Sequence, residues 1–430
     1  MKMALVHPRM DIAGGAERLL LWLAQGLGKR GLDVTIFTER FNRRFAEGHI
    51  KVEVFKKGLL NRFINSKLID KKSYAKQLSR LLKDFSTVVS FNFPSYWWVA
   101  EAKKISTDFP NAVWFCNEPL RRLYRDKTDR FLMDYYVNKD KILRYAQNDR
   151  RKCHSDTECN EGEESNLNGQ NLHLKEEVQR RLDEDSNNLA RLRRDREIDR
   201  LSVSCMDKVL AISHYTAQNL KSIFGIESIV CYPGIPDPSL RSGQALNVRR
   251  DNTILTIGWS SPKKNINNVL EAVKILSKRN SALNFRLKII GYDARLSNIR
   301  GLIENLGITD MVELIGYVGE EELFEHYRSA KAVVYIPVDE PFGLVPVEAM
   351  MCGTPVIVSN HGGPKEMVQD GKTGIHVDPF DPHRVADAIE RLLKNEKLVD
   401  EMGQNGYNMV RENFTIDKFV ERFLDDITIS

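Results

Sequence analysis

Between positions 340 and 350 the chain reads EPFGLVPVEAM, which sets Glu340 and Glu348 eight positions apart around Gly343 and Pro346. The preceding AVVYIP is apolar enough for a buried strand, so VDEPFGLV is the loop at its carboxyl end and PVEAMMCG the helix leaving it. Pro346 suits a first helical turn, where its fixed φ fits and no N–H is lost. Gly343 lets the backbone come close to a ligand with no side chain in the way. The open N–H groups from Gly343 through Leu344 to Val345 then make an anion site at a helix N-terminus. Carboxylates accept hydrogen bonds from hydroxyls, not from phosphate oxygens. A ligand with hydroxyls on both sides of its phosphates fits, as a nucleoside diphosphate sugar does. The plainer reading is a helix cap beside two solvated acids; loop, glycine and proline together weigh against it.

A second pair of glycines, Gly14 and Gly15, follows the strand-like MALVHP and precedes GAERLLLWLAQGLGKRG, so their N–H groups form another phosphate-sized cradle or a simple turn. The loop after AVWFC, from Asn117 and Glu118 to Arg121 and Arg122, is the other first-half segment expected at such a site.

The elements that must position these residues are legible as alternation. At 430 residues the chain suits two domains of roughly 200 residues each. MALVHP, the amphipathic GAERLLLWLAQGLGKRG and DVTIFT make a βαβ opening, and TVVSF and AVWFC read as further buried strands. A second series starts at DKVLAIS and runs through NTILTIG, NFRLKIIG, AKAVVYIP and TPVIVSN. The expected architecture is α/β, with two Rossmann-like doubly wound domains facing across a cleft. Residues 1–205 are expected to form the first domain and 206–412 the second, with a last helix at 413–430 that packs back toward the first. A stretch rich in Pro, Gly and Ser at 232–244 marks the break between them. In open α/β sheets ligands bind outside the carboxyl ends of strands, so both domains can serve one site.

Residues 144–185 read as a mobile insertion, too polar over much of their length to offset their ordering entropy. Cys153, His154, Cys159 and His173 fall there, but the spacing lacks the tight cysteine pair of structural zinc sites. Scattered through the chain, the six cysteines read as reduced thiols. A net charge of +5 gives no nucleic-acid footprint, and no apolar run would span a bilayer, so a cytoplasmic protein is expected. Residues 56–83 carry nine Lys or Arg against one acid, Asp70, with Leu and Ile at helical spacing. Two readings stand: a solvated helix face, or a surface for an anionic membrane that holds the protein on its inner face.

The run EPFGLVPVEAMMCGTPVIVSNHGGPKEMVQDGKTGIHVDPFDP resembles the donor-site signature of the family 4 retaining glycosyltransferases, which have the GT-B fold. Its acidic pair and the GGPKE and DGKTG segments match in order over about 40 residues. Weaker similarity includes GGAER, AISHYT, YPG and KKN, and reaches nearly the whole chain outside the insertion. The resemblance implies that Glu340 contacts the donor sugar's hydroxyls, that Phe342, Gly343 and Leu344 offer backbone to sugar and phosphate, and that Glu348 binds ribose. It implies that Lys264 neutralises the diphosphate leaving group, near Gly258 and with Lys263 beside it. It also implies that no divalent metal or other cofactor is used. Many relatives have Arg where Trp259 stands and His where Asn117 stands; Asn can bond a sugar hydroxyl but cannot carry a proton.

The resemblance thus points to a retaining transferase. It would move a hexose, mannose first, from GDP-mannose or a UDP-hexose to a lipid-linked or polysaccharide acceptor of the cell envelope. The competing reading is a GT-B protein that binds nucleotide sugar but has lost turnover. A dinucleotide oxidoreductase is disfavoured, because neither βα turn supplies G-x-G-x-x-G.

Overall fold

The structure is a computed structural model that describes residues 1–11, 14–42, 50–55, 67–119, 124, 189–237, 250–258, 262–280, 283–291 and 296–428. Arg121, Trp259, the insertion with Cys153, His154, Cys159 and His173, and the 56–66 part of the basic stretch lie outside them. The chain divides into two units, Met1–Pro119 with Cys205–Ser430, and Leu120–Ser204. Within the second, Tyr124 donates from its hydroxyl to Asp199 Oδ2 at 3.0 Å, and Asp199 belongs to the helix Leu189–Ser204.

The first unit holds two parallel sheets. One contains β1 (Lys2–Met10), β2 (Asp33–Phe41), β3 (Lys51–Val54), β4 (Thr87–Phe91), β5 (Asn111–Cys116), β6 (Lys208–Ala211) and β7 (Ile229–Val230), in the order β3-β2-β1-β4-β5-β6-β7. The other contains β8 (Thr253–Ile257), β9 (Arg286–Ile290), β10 (Val312–Gly316), β11 (Ala332–Tyr335), β12 (Val356–Ser359) and β13 (Gly374–Val377), in the order β10-β9-β8-β11-β12-β13. Strands such as TVVSF and AVVY are buried at every position, as expected where helices cover both faces of a parallel sheet.

One boundary differs from the sequence reading. DKVLAIS looks like the start of the second domain, yet Lys208–Ala211 pairs with Val113–Cys116 in the first sheet. The sheet changes only after β7. There the crossing segment bonds beside the return of the chain, with Ile235 N on Phe414 O at 2.8 Å and Ile416 N on Ile235 O at 3.1 Å. The returning helix Ile416–Thr428 lies on the helix Gly15–Lys29, where a Cβ on Gly26 would fall 2.6 Å from Val420 Cγ2. Phe419 and Phe423 of that helix are buried against Phe115 of β5, with ring centroids 5.9 and 6.3 Å away. Each such side chain contributes about 1.5–3 kcal/mol by leaving water.

Over the described part of the basic stretch, the helix Lys67–Leu81 turns Tyr74, Ala75 and Leu78 into the fold, while Leu81 is exposed. Tyr74, Ala75 and Leu78 are fully buried, and the Tyr74 ring lies 5.1 Å from Phe55 and 5.0 Å from Trp98. Tyr74, Ala75 and Leu78 are therefore not available to a membrane.

Candidate functional site

In each sheet the strand order reverses direction once, between β1 and β4 and between β8 and β11. Ligands of doubly wound sheets bind at such switch points. A cavity of about 490 Å³ lies there, lined from both sheets. Gly14 and Gly15 reach it after β1, Asn92 after β4, Asn117 and Glu118 after β5, Gly258 after β8, and Glu340 to Val345 after β11.

Two helix N-termini meet at this cavity. The helix Gly15–Lys29 starts after Gly14, and the helix Leu344–Met351 starts after Gly343. A Cβ on Gly15 would stand 3.3 Å from Leu344 Cδ1, so the two starts face each other closely. Gly343 has φ +96, a conformation that favours glycine, and a Cβ there would come 3.1 Å from Pro364. The start of Leu344–Met351 offers an anion-favouring lining, whereas at the other start the Glu17 carboxylate already accepts from the backbone N–H groups of Gly14 and Glu17.

Lys264 lies on the short turn Pro262–Lys264 that follows β8. Its Nζ is 2.8 Å from Glu340 Oε2 and donates to Tyr335 Oη at 2.9 Å. Burial opposes its charge, but Tyr335 and the Glu340 carboxylate outweigh that and hold its pKa above the ordinary lysine range. Glu348 sits on the second turn of its helix rather than the first, and it is 1% exposed. Arg18 Nη1 stands 2.9 Å from its Oε1, and Tyr327 donates to its Oε2 at 3.0 Å. Arg18 also bonds Glu320 at 3.1 Å and covers the Trp22 ring at 4.6 Å. Burial disfavours the guanidinium charge, and the carboxylates of Glu348 and Glu320 reverse that, raising its pKa.

Glu340, Glu348, Lys264, Asn117, Glu118, Gly14, Gly15, Gly258, Phe342, Gly343, Leu344 and Val345 thus all line one cavity. Lys263 does not line it; its carbonyl accepts from Val338 N at 2.8 Å instead. Sequence reasoning passed over Arg18, although the quoted GGAER contains it, because nothing local tells that it reaches Glu348. It likewise missed Tyr335, Tyr327 and Asn92, which also line the cavity. His376 is structural, with its Nε2 at 2.9 Å from Val368 O. No cluster of metal-ligating side chains occurs among the described residues.

Residues 13–168 match the family model for Glycosyltransferase Family 4, and residues 242–409 that for glycosyl transferases group 1. The D-inositol 3-phosphate glycosyltransferase of Paenarthrobacter aurescens (strain TC1) is 35% identical over 203 residues, 45% of this chain and 48% of that protein. The GDP-mannose-dependent alpha-(1-6)-phosphatidylinositol monomannoside mannosyltransferase of Mycobacterium tuberculosis (strain CDC 1551 / Oshkosh) is 30% identical over 237 residues, 51% of this chain and 61% of that one. The chain spans about half the length of the curated relatives it matches. HepE of Anabaena, solved in complex with UDP, has the same fold, with a TM-score of 0.67 and 16% identity over 99% of both chains. Two doubly wound sheets in the GT-B arrangement, and family matches to both halves in chain order, make the chain a member of the family 4 glycosyltransferases.

Proposed function

We propose that the protein is a retaining hexosyltransferase that takes its sugar from a nucleoside diphosphate, with mannose as the first candidate and a lipid-linked or polysaccharide acceptor. The observation that carries this reading is the pair of helix N-termini facing one cavity, with Lys264 and Glu340 bonded to each other at its edge. When the bond from the anomeric carbon to the diphosphate breaks, its electron pair goes to the phosphate oxygen. The N-terminus of Leu344–Met351 and Lys264 are poised for that charge, and such fixed electrostatics are worth several kcal/mol in a water-poor site. The Lys264 ammonium has a hydrogen left to give after Tyr335 and Glu340. Glu340 is the group for sugar hydroxyls, and Glu348 for the ribose. Asn117 and Glu118 face the sugar and acceptor side.

Supporting the donor choice, one relative is named for GDP-mannose and a protein of the same fold was solved with UDP. That same relative is named for a phosphatidylinositol mannoside, in keeping with a lipid-linked acceptor. No helix among the described residues is long and apolar enough to cross a membrane. For a lipid acceptor, the basic residues of 56–83, with Lys76, Arg80 and Lys83 exposed, are the segment to meet an anionic surface on the cytoplasmic side.

The test is a screen of GDP- and UDP-hexoses with acceptor extract, reading free nucleotide. Release from one of them supports the reading. Tight nucleotide-sugar binding in calorimetry without release from any would replace it with the impaired binding protein. Because the chemistry is assigned to cations and helix ends, adding a chelator should leave the rate unchanged; a loss beyond about twofold would show that a metal takes part.

A further inference from the structure

A line of polar side chains crosses the carboxyl ends of β1, β4 and β5. His7 Nδ1 lies 2.6 Å from Arg9 O. The Arg9 amide N–H points at the same atom from 3.2 Å and would need a bare Nδ1; the much shorter contact is with a carbonyl that can only accept, and it places the proton on Nδ1. His7 is 1% exposed, and burial drives its pKa down to about 4, so the ring is neutral and Nε2 is bare. Glu17 Oε1 is 3.8 Å from Nε2, beyond hydrogen-bond reach. The partner of Nε2 is the Asn92 side chain at 3.0 Å, which must present its NH₂ group. Its oxygen then faces the other way and accepts from Asn117 Nδ2 at 2.8 Å.

Each step fixes the next, so the orientation of the last amide does not depend on telling nitrogen from oxygen by shape. Asn92 is itself held firmly. It takes φ +55, where Asn is better tolerated than most residues, and its carbonyl accepts from Ser95 N at 3.1 Å and Ser95 Oγ at 2.8 Å. What remains is Asn117 Oδ1, buried at the cavity with no hydrogen-bond partner among the described residues. A buried acceptor in that state is unfavourable until a donor arrives.

We propose that His7 and Asn92 are positioning residues that turn the Asn117 amide so that its oxygen faces the cavity, where it takes a hydrogen bond from one hydroxyl of the transferred sugar. The inference rests on the glycosyl-transfer reading. It assigns specificity for a group that donates; a fluorine or hydrogen in place of that hydroxyl leaves the oxygen unpaired.

Two measurements on the full chain test it. Long-range ¹H–¹⁵N spectra of ¹⁵N-histidine-labelled protein should show His7 as the Nδ1–H tautomer, and Asn92→Asp should move a proton onto Nε2. With the donor found in the screen, analogues lacking each sugar hydroxyl in turn should reveal one position where kcat/KM falls roughly tenfold or more. Asn117→Ala should abolish that discrimination at that position only, and Asn92→Ala should weaken it. An Nε2–H tautomer in the wild type, or full discrimination in Asn117→Ala, overturns the proposal. Failure of every donor in the screen would sink the transferase reading instead, while the histidine spectra would still decide the relay.

Discussion

Each acid of the 340–350 stretch already holds a cation: Glu340 has Lys264 and Glu348 has Arg18. Their surroundings differ, since the Glu340 side chain is 24% exposed and that of Glu348 2%. Glu340→Gln should therefore cut kcat by about a hundredfold or more, as losing a preorganised charge does, while nucleotide affinity in calorimetry changes little. Glu348→Gln leaves Arg18 with a partly buried charge that has lost one counterion, so it should weaken nucleotide binding and lower Tm together. Equal effects of both variants on both measurements would refute this division. His7 gives a pH prediction. Its unfolded state titrates near 6.5 and its folded state near 4, so between those values only the unfolded chain takes up a proton. Stability falls as pH drops through that window, by about 3 kcal/mol at its lower end. Thermal melts at pH 7 and 4.5 should show a smaller drop for His7→Gln than for wild type; parallel drops would mean that His7 is not buried and neutral. At this scale the sequence was informative where chemistry is local. Gly343 announces a loop conformation by its type, but the partner of Arg18 is a matter of tertiary contact.

Helices in this molecule are placed by what their small residues and ends allow. Gly26 lets Ile416–Thr428 lie against Gly15–Lys29, because a Cβ would meet Val420 at 2.6 Å and Ile416 at 2.9 Å. Gly26→Leu should lower stability by about 1–3 kcal/mol through overpacking, read as a fall in Tm. No change would mean that the two helices have room to separate. The start of His214–Phe224 is closed by a carboxylate from the other sheet's domain: Glu366 accepts from His214 N at 2.9 Å and Tyr215 N at 2.7 Å, and from Tyr232 Oη at 2.8 Å. The alternation of apolar runs revealed that strands exist and that they are parallel. It could not say to which sheet Lys208–Ala211 belongs, since a fully buried strand reads the same in either. Nor does GGPKE reveal that its Glu caps a helix some 150 positions earlier.

Across the whole molecule specific polar links join the two sheets beside an apolar cluster that spans both. Arg18 reaches Glu348 and Glu320, Glu366 caps His214–Phe224, and Ser213 Oγ donates to Pro341 O. Glu366→Ala should lower Tm by a few degrees, the loss of a cap being worth about 1 kcal/mol, and should enlarge the radius of gyration in small-angle scattering. An unchanged radius would show that this contact does not hold the halves together. The docked last helix bears also on the order of synthesis. Domains of a growing chain ordinarily fold as they emerge, first one and then the next. Here Phe419, Val420 and Phe423 fill space against Phe115 and Gly26. The first sheet thus leaves the ribosome with an open apolar face, and it waits for almost the entire second domain to be translated before its own core is closed.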